Sequence, residues 1–527
     1  MSIFDAIFKN RLKYVNCKTW ETQNLKFPEL DDPDLQVDGL AAKPNVGIAF
    51  SGGSTRSASA TLGQLRALEK LDLLKNVRYI SSVSGGSWVC VPYTYLPADR
   101  ADDTFLGDFL EPAEITLDNL KQTNKGSYAH TVANSVIVDD FFKNVGRLAG
   151  DESWSRAIGD VFLNDFGIHS LKRFFSLDQK SVSEILNHNP DMREDDFYRV
   201  HPERPYLIVG STLLRTQQDD PSKRKIHFET TPLYAGARVL HEGIGSGGRD
   251  IGGGYIEPFG FDSDEPEAQG QNGRVNVRLG AKKHRYTLSD VAGTSGSAPS
   301  EFLDQNNLNF IGFPEFKHWP VVNPSENTAK EYSFGDGGFL ENLGIMPLLM
   351  RKVAKIVVFV NTKDALEFDD EGNLTKINDS IPPLFNKPNS YDEDDDESFG
   401  LNCVFEESKY EDLVNGLRAE KDAEQTVMFK DTYAVKDNPH YGIEGGWDVE
   451  VLWVYNERVG EWEEKLSDEV RDQIGSGNEL PNFPHYKTVF QNFPKVIDLK
   501  PEEVNLLAHL SSWNIKQNEA KFHEMLS

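Results

Sequence analysis

Three short stretches hold the residue types that chemistry requires. The first is "SSVSGGSW" (81–88). Within it, Ser82-Val83-Ser84-Gly85-Gly86 is a variant of G-x-S-x-G, with serine in the first glycine place. That motif sets a nucleophile on a sharp turn from strand to helix, so the residues two before and two after must be small. Ser82 and Gly86 meet that demand. Ser84 would then present its hydroxyl at a helix N-terminus, where about half a unit of positive charge favours developing negative charge. A hydroxyl is a poor nucleophile until a base takes its proton. The best candidate base is Asp336 in "YSFGDGGFLENLG" (332–344), where flanking glycines let the backbone turn tightly and leave the carboxylate outside a helix. A metal site has little to draw on there, because Glu341 and Asn342 are the only other ligand-type residues nearby. The third stretch, "AFSGGSTRSASATLGQL" (49–65), passes from an apolar run through glycines to a helical pattern carrying Arg56. Such a loop either cradles phosphate or aims N–H groups at an oxyanion. It has no Gly-Lys-Ser/Thr ending and no G-x-G-x-x-G, so it is not a nucleotide site. The latter spacing does occur in "GIGSGG" (243–248), but without a leading strand or a following helix, so that segment reads as a glycine-rich loop.

The surrounding elements follow from apolar patterning. "NVGIAF" (45–50) and "VRYISSV" (77–83) read as buried strands. Between them, residues 57–74 carry Leu62, Leu65, Leu68 and Leu71 on one helical stripe. This βαβ unit implies an α/β fold: a central, mostly parallel sheet flanked by helices. "RPYLIVGSTLL" (204–214) and "AKIVVFVN" (354–361) add strands. Residues 98–200, rich in aromatics such as Phe141, Phe142, Phe174 and Phe175, are too long for a connection and read as an inserted helical cap. Aromatic residues more often form core, but this cap is also the best candidate for a lid over the site. Residues 1–44 read as an N-terminal arm, and 45–527 as one catalytic domain. Phe4, Ile7 and Phe8 fall on one helical face, which suits docking on the body better than an interfacial membrane anchor.

Bulk composition narrows the function. Apolar residues are 38% and charged residues 26% of the 527, enough for a real core. A net charge of −29 repels phosphate backbones and argues against nucleic-acid binding. It argues equally against docking onto an anionic membrane by bulk charge. Three scattered cysteines, Cys17, Cys90 and Cys403, make no CxxC pair, which disfavours a zinc site and fits a reducing compartment. No apolar run is long enough to span a membrane, and no signal peptide is evident. The acidic run "YDEDDDESFG" (391–400) lacks the glycine and glutamate spacing of a calcium loop and reads as solvated chain.

In chain order, these motifs resemble those of the patatin-like phospholipases, and within them the catalytic domain of cytosolic phospholipase A2. "SGGSTR" (51–56) is similar to the family's Ser-Gly-Gly-Gly-x-Arg loop, and "SVSGG" (82–86) to its nucleophile elbow. "HFETTPLYAG" (227–236), "GTSGSAPS" (293–300) and "DGGFLENLG" (336–344) match further family segments. The likeness spans about residues 45–362, and "FPHYKTVF" (483–490) extends it weakly. The resemblance implies a Ser84–Asp336 dyad that forms an acyl-enzyme from a phospholipid or lysophospholipid. It also implies an oxyanion hole at Gly53 and Ser54, shaped by Gly52 and completed by Gly85, with Arg56 holding the substrate phosphate. No cofactor and no metal are expected. The implied setting is cytoplasmic, at a membrane or micelle surface, with secretion lacking a cleaved signal left open. Ser54 and Ser82 depart from the family's glycines. With about 44 residues before the fold, no calcium-dependent lipid-binding domain is expected.

Three alternatives stay open. Ser84, Asp336 and His485 have the chain order of an α/β-hydrolase triad, although His485 reads better as a packed residue. The acyl-enzyme could pass its acyl group to an alcohol, making the protein a lipid acyltransferase. A catalytically dead lipid-binding scaffold is the non-enzymatic reading.

Overall fold

The computed structural model describes residues 14–23, 26–33, 35, 37, 39–135, 153–214, 225–266, 273–280, 285–297, 314–322, 328–388, 400–475, 477–488 and 498–527. The stretch with Phe4, Ile7 and Phe8, the pair Phe141 and Phe142, the segment 298–300 and nearly all of the acidic run lie outside these residues.

Strand β1 (Tyr14–Glu21) precedes β2 (Val46–Phe50), helix α1 (Ser54–Lys70), β3 (Tyr79–Val83) and helix α2 (Gly85–Thr94). Every residue of β2 and β3 is buried, as strands covered on both faces require. They pair in parallel, from Gly47 opposite Tyr79 to Phe50 opposite Ser82. Helix α1 starts three residues earlier than its leucine spacing suggests. Its first turn, Ser54, Thr55 and Arg56, is polar yet buried, so hydropathy does not mark it as helix. Leu62, Leu65 and Leu68 are fully buried, as expected.

The later strands are β4 (Tyr206–Leu214), β5 (Lys225–Thr230), β6 (Ala235–Ala237), β7 (Gly254–Ile256) and β8 (Arg274–Arg278). They are followed by β9 (Glu315–His318), β10 (Lys330–Asp336), β11 (Lys355–Val360), β12 (Met428–Val435) and β13 (Trp447–Tyr455). All belong to one 13-stranded sheet in the order β8-β1-β7-β6-β5-β4-β3-β2-β11-β13-β12, with β10 paired to β4 and to β9. The centre, β4-β3-β2-β11-β13, is parallel; the flanks are antiparallel. The N-terminal segment is more than a connection, because β1 pairs with β7 and β8. The "GIGSGG" segment forms part of a small separate hairpin, His241–Gly245 with Arg249–Ile251.

One detail of register builds the site. Strand β3 ends with Val83 opposite Gly210 of β4. The next residue of β4, Ser211, pairs instead with Asp336, the last residue of β10. The other edge of β4 is occupied there by β5. Strand β10 therefore takes up the edge that β3 leaves, and Asp336 arrives where the chain turns into Ser84.

The described part of the 98–200 insertion is largely helical, as expected, with short strands Phe174–Ser176 and Phe197–Arg199. Its aromatics Phe105, Tyr128, Phe162, Phe166 and Phe175 are buried in the same core as β2 and α1. Helix α4 (Pro501–Gln517), numbered after α3 (Leu288–Ser295), packs against α1 and against helices of the insertion. A Cβ on Gly63 would come within 2.1 Å of the Ala508 carbonyl, so only glycine allows this approach. Ser512 then donates to the Gly63 carbonyl at 2.7 Å.

Candidate active site

Ser84 caps the N-terminus of α2 with φ 51° and ψ −125°, a conformation that L side chains rarely adopt. Such a turn lifts the side chain off the strand. The elbow is pressed against the glycine loop. A Cβ on Gly85 would sit 2.0 Å from the Ser54 carbonyl oxygen, and one on Gly86 would sit 2.8 Å from that of Phe50. The Ser84 amide donates to Ser295 Oγ at 3.0 Å, and Ser295 Oγ donates to the Gly210 carbonyl at 2.7 Å. Ser87 Oγ reaches both Ser82 Oγ and Ser295 Oγ at 3.0 Å. Ser82, which stands where a glycine was expected, is therefore part of a hydroxyl cluster under the elbow.

Ser84 Oγ donates to Asp336 Oδ2 at 2.8 Å. The other carboxylate oxygen, Oδ1, accepts from the Gly338 amide at 2.8 Å, and the Asp336 carbonyl accepts from Thr212 Oγ1. One face of the carboxylate is thus anchored to its own turn while the other meets the serine. Both residues are buried. Beyond Asp336, the buried Glu341 carboxylate accepts from the amides of Leu343 and Gly344 and shapes the turn. Burial pushes its carboxyl up to about 7 against the pull of those amides.

The glycine loop packs beside Ser84. Gly52 donates its amide to the Asn342 carbonyl at 2.9 Å, so it shapes the loop and is not free as an oxyanion donor. A Cβ there would come within 2.0 Å of Asn342 Oδ1 and 2.9 Å of Ser84 Cβ. The amides of Gly53, Ser54 and Gly85 have no hydrogen-bond partner among the described residues. Ser54 and Gly85 open helices α1 and α2, where first-turn donors are unpaired by geometry. Ser54 adopts φ 55°, the region where the expected glycine would rest without strain. Its hydroxyl is buried without a hydrogen-bond partner among the described residues.

Arg56 is buried. Its Nε donates to the Asn361 carbonyl at 3.0 Å and its Nη1 to the Tyr486 carbonyl at 2.6 Å. Nη2 makes no hydrogen bond among the described residues and lies on the side of Gly53, where a Cβ would come within 2.4 Å. Burial lowers its pKa to about 10, opposed by Asp364 and Asp379, so it remains a cation near neutrality. Thr488 links the same parts, donating to the Gly53 carbonyl at 2.9 Å.

These groups line one cavity of about 200 Å³, with Ser84, Asp336, the glycine loop and Arg56 in its wall. Trp88 and Phe339 supply apolar surface; Lys363, Asp364 and Asp379 supply charge. Trp88 stacks on Phe162 of the insertion at 4.6 Å between ring centres. His485 bonds to the Asn456 carbonyl at 2.9 Å and lies 3.7 Å from Glu457, not beside Ser84 or Asp336. Burial lowers its pKa. No group of metal-ligating side chains occurs among the described residues, and no helix there is long and apolar enough to cross a membrane.

The residues expected from sequence therefore meet in one place. Reading along the chain missed Ser295, Asn342 and the anchors of Arg56. Ser295 and Asn342 do lie inside recognisable segments, "GTSGSAPS" and "DGGFLENLG". Asn361 and Tyr486 carry no local signal.

The chain is 46% identical over 57 residues to human cytosolic phospholipase A2 delta, a match covering 11% of this chain and 7% of that protein. It is 36% identical over 86 residues to lysophospholipase 2 of Candida albicans, covering 15% of this chain and 14% of the relative. The matched stretches thus span only a small part of either relative. Among solved structures, human GIVD cytosolic phospholipase A2 aligns over 100% of this chain and 64% of its own, at 14% identity and a TM-score of 0.44. The patatin-like phospholipase family model matches residues 48–349, more than half of the chain, and this chain belongs to that family.

Proposed function

We propose that the protein is a lipid acyl hydrolase that cleaves fatty acyl esters of phospholipids or lysophospholipids through a Ser84–Asp336 dyad. The observation that carries this reading is the 2.8 Å hydrogen bond from Ser84 Oγ to Asp336 Oδ2 inside a cavity. Among the described residues no imidazole stands beside the serine, and Asp336 is the base within reach. As Ser84 attacks the ester carbonyl, its proton passes to Asp336. The oxyanion of the tetrahedral intermediate faces the unpaired amides of Gly53 and Ser54, with that of Gly85 close by. One such donor contributes about 2.7–4 kcal/mol to the transition state. Asp336 returns the proton to the departing alkoxide, leaving the acyl group on Ser84. A water then repeats the sequence, with Asp336 again taking a proton, and releases the fatty acid. Arg56, held by two backbone carbonyls, offers Nη2 to a substrate phosphate, where a guanidinium is well suited. Trp88 and Phe339 suit the acyl chain.

Product analysis on phospho-, lysophospho- and neutral lipids, with wild type and Ser84→Ala, tests the reading. Free fatty acid from a phospholipid or lysophospholipid, lost in the variant, is expected. Acyl transfer to an added alcohol, with no free acid, would instead make the protein an acyltransferase. Lipid binding without turnover would make it a scaffold.

A further inference from the structure

The Ser54 amide, placed above among the oxyanion donors, shares one peptide unit with the Gly53 carbonyl. That peptide is trans, so its N–H and its C=O point in opposite directions. Whatever fixes the carbonyl therefore aims the donor. The Ser54 nitrogen lies beside the elbow, since a Cβ on Gly85 would come within 2.8 Å of it. Among the described residues two donors meet the carbonyl. Thr488 Oγ1 donates to it at 2.9 Å and the Ser57 amide at 3.2 Å.

The backbone alone does not favour this orientation. Gly53 has φ 135° and ψ 31°, and Ser54 has φ 55°. Turning the peptide by half a rotation changes mainly ψ of Gly53 and φ of Ser54. Ser54 would pass into the negative-φ region that a serine prefers, and Gly53, without a Cβ, tolerates the new ψ. The same rotation would turn the Ser54 N–H out of the site. Strain at Ser54 thus pulls towards a loop with one oxyanion donor fewer. The Ser57 bond is the ordinary first bond of helix α1. Thr488 comes from outside the helix, 435 residues away in sequence.

Thr488 is itself held in place. It is fully buried. Its hydroxyl accepts from the Arg56 amide at 3.4 Å, which leaves its one proton for the Gly53 carbonyl. The chain just before it is tied down at two carbonyls. That of Tyr486 accepts from Arg56 Nη1 at 2.6 Å, and that of Pro484 from Asn456 Nδ2 at 3.1 Å.

We infer that Thr488 is a positioning residue that locks the Gly53–Ser54 peptide with its N–H turned to the oxyanion. This rests on the hydrolase reading above and makes the C-terminal part of the chain a requirement of the chemistry.

The test uses a p-nitrophenyl acyl ester, which carries no phosphate and so does not engage Arg56. It also uses an alkyl trifluoromethyl ketone, to which Ser84 Oγ adds, its proton passing to Asp336, so that an alkoxide stands in the oxyanion hole. Thr488→Val keeps the shape and removes the hydroxyl. It is expected to lower kcat by about tenfold or more, towards the 10²–10³ of a lost donor, with KM nearly unchanged and ketone affinity falling in proportion. Thr488→Ser keeps the hydroxyl and should stay near wild type. In a Ser54→Gly background the strain is gone, so Thr488→Val should cost markedly less there. Unchanged kcat in Thr488→Val, an equal loss in Thr488→Ser, or an equal loss in both backgrounds overturns the lock and leaves the hydrolase reading standing. A wild type that neither cleaves the ester nor reacts with a fluorophosphonate overturns both.

Discussion

Ser54 shows how one residue reports on the chemistry. It sits at φ 55° where glycine would be unstrained, and its amide faces the proposed oxyanion. Ser54→Gly keeps that amide and relieves the backbone, at the cost of a more flexible unfolded chain. It should leave thermal stability equal or higher and lower ester hydrolysis by less than tenfold, against roughly 10²–10³ if a true oxyanion donor were removed. A loss on that larger scale would show that the hydroxyl is itself a donor. Ser295 makes the opposite case. Without its Oγ the Ser84 amide loses its acceptor, at about 1–3 kcal/mol for a buried unsatisfied group. Ser295→Ala should therefore lower kcat with KM nearly unchanged, since it positions the nucleophile and does not line the cavity. His485→Gln is expected to retain most activity with an intact fold. Near-complete loss would restore the triad.

At the scale of elements, the site depends on where two strands end. Asp336 reaches Ser84 because β10 takes over the edge of β4 that β3 vacates. That succession is invisible in sequence, although its parts are not. The strands β2, β3, β4 and β11 were legible because each is an apolar run buried on both faces. Ser84 and Asp336 were legible because a sharp elbow and a tight aspartate turn impose small neighbours. Strand β1 was not, because Asn16 and Lys18 interrupt its apolar residues and its partners lie more than 230 residues away. The start of α1 was obscured by a buried polar first turn. The anchors of Arg56 were hidden most deeply, with separations of 305 residues to Asn361 and 430 to Tyr486. The same logic applies to the insertion. Its described aromatics continue the core, so truncating Phe162 behind Trp88 should destabilise the protein by about 3–5 kcal/mol, measured by urea denaturation.

Across the whole molecule, one buried ion cluster ties the N-terminal segment to the sheet behind the site. Arg351 bonds to Glu29 at 2.9 Å and to both oxygens of Glu229 at 2.9 and 3.0 Å. Against the cost of burial, Arg351 holds the Glu229 carboxyl below its ordinary value. A lowered carboxylate stabilises above its unfolded pKa, so this contribution is full near neutrality and fades as pH falls below the ordinary 4.5. Arg351→Met strands two buried carboxylates and should cost about 3–5 kcal/mol at neutral pH, read from urea midpoints across that pH range. Peptide mapping after reaction with a fluorophosphonate lipid analogue tests the assignment of Ser84 as nucleophile most directly. One equivalent of adduct on Ser84, absent in Ser84→Ala and slowed in Asp336→Asn, is expected. Full labelling that survives Ser84→Ala, or no labelling of the wild type, would contradict it.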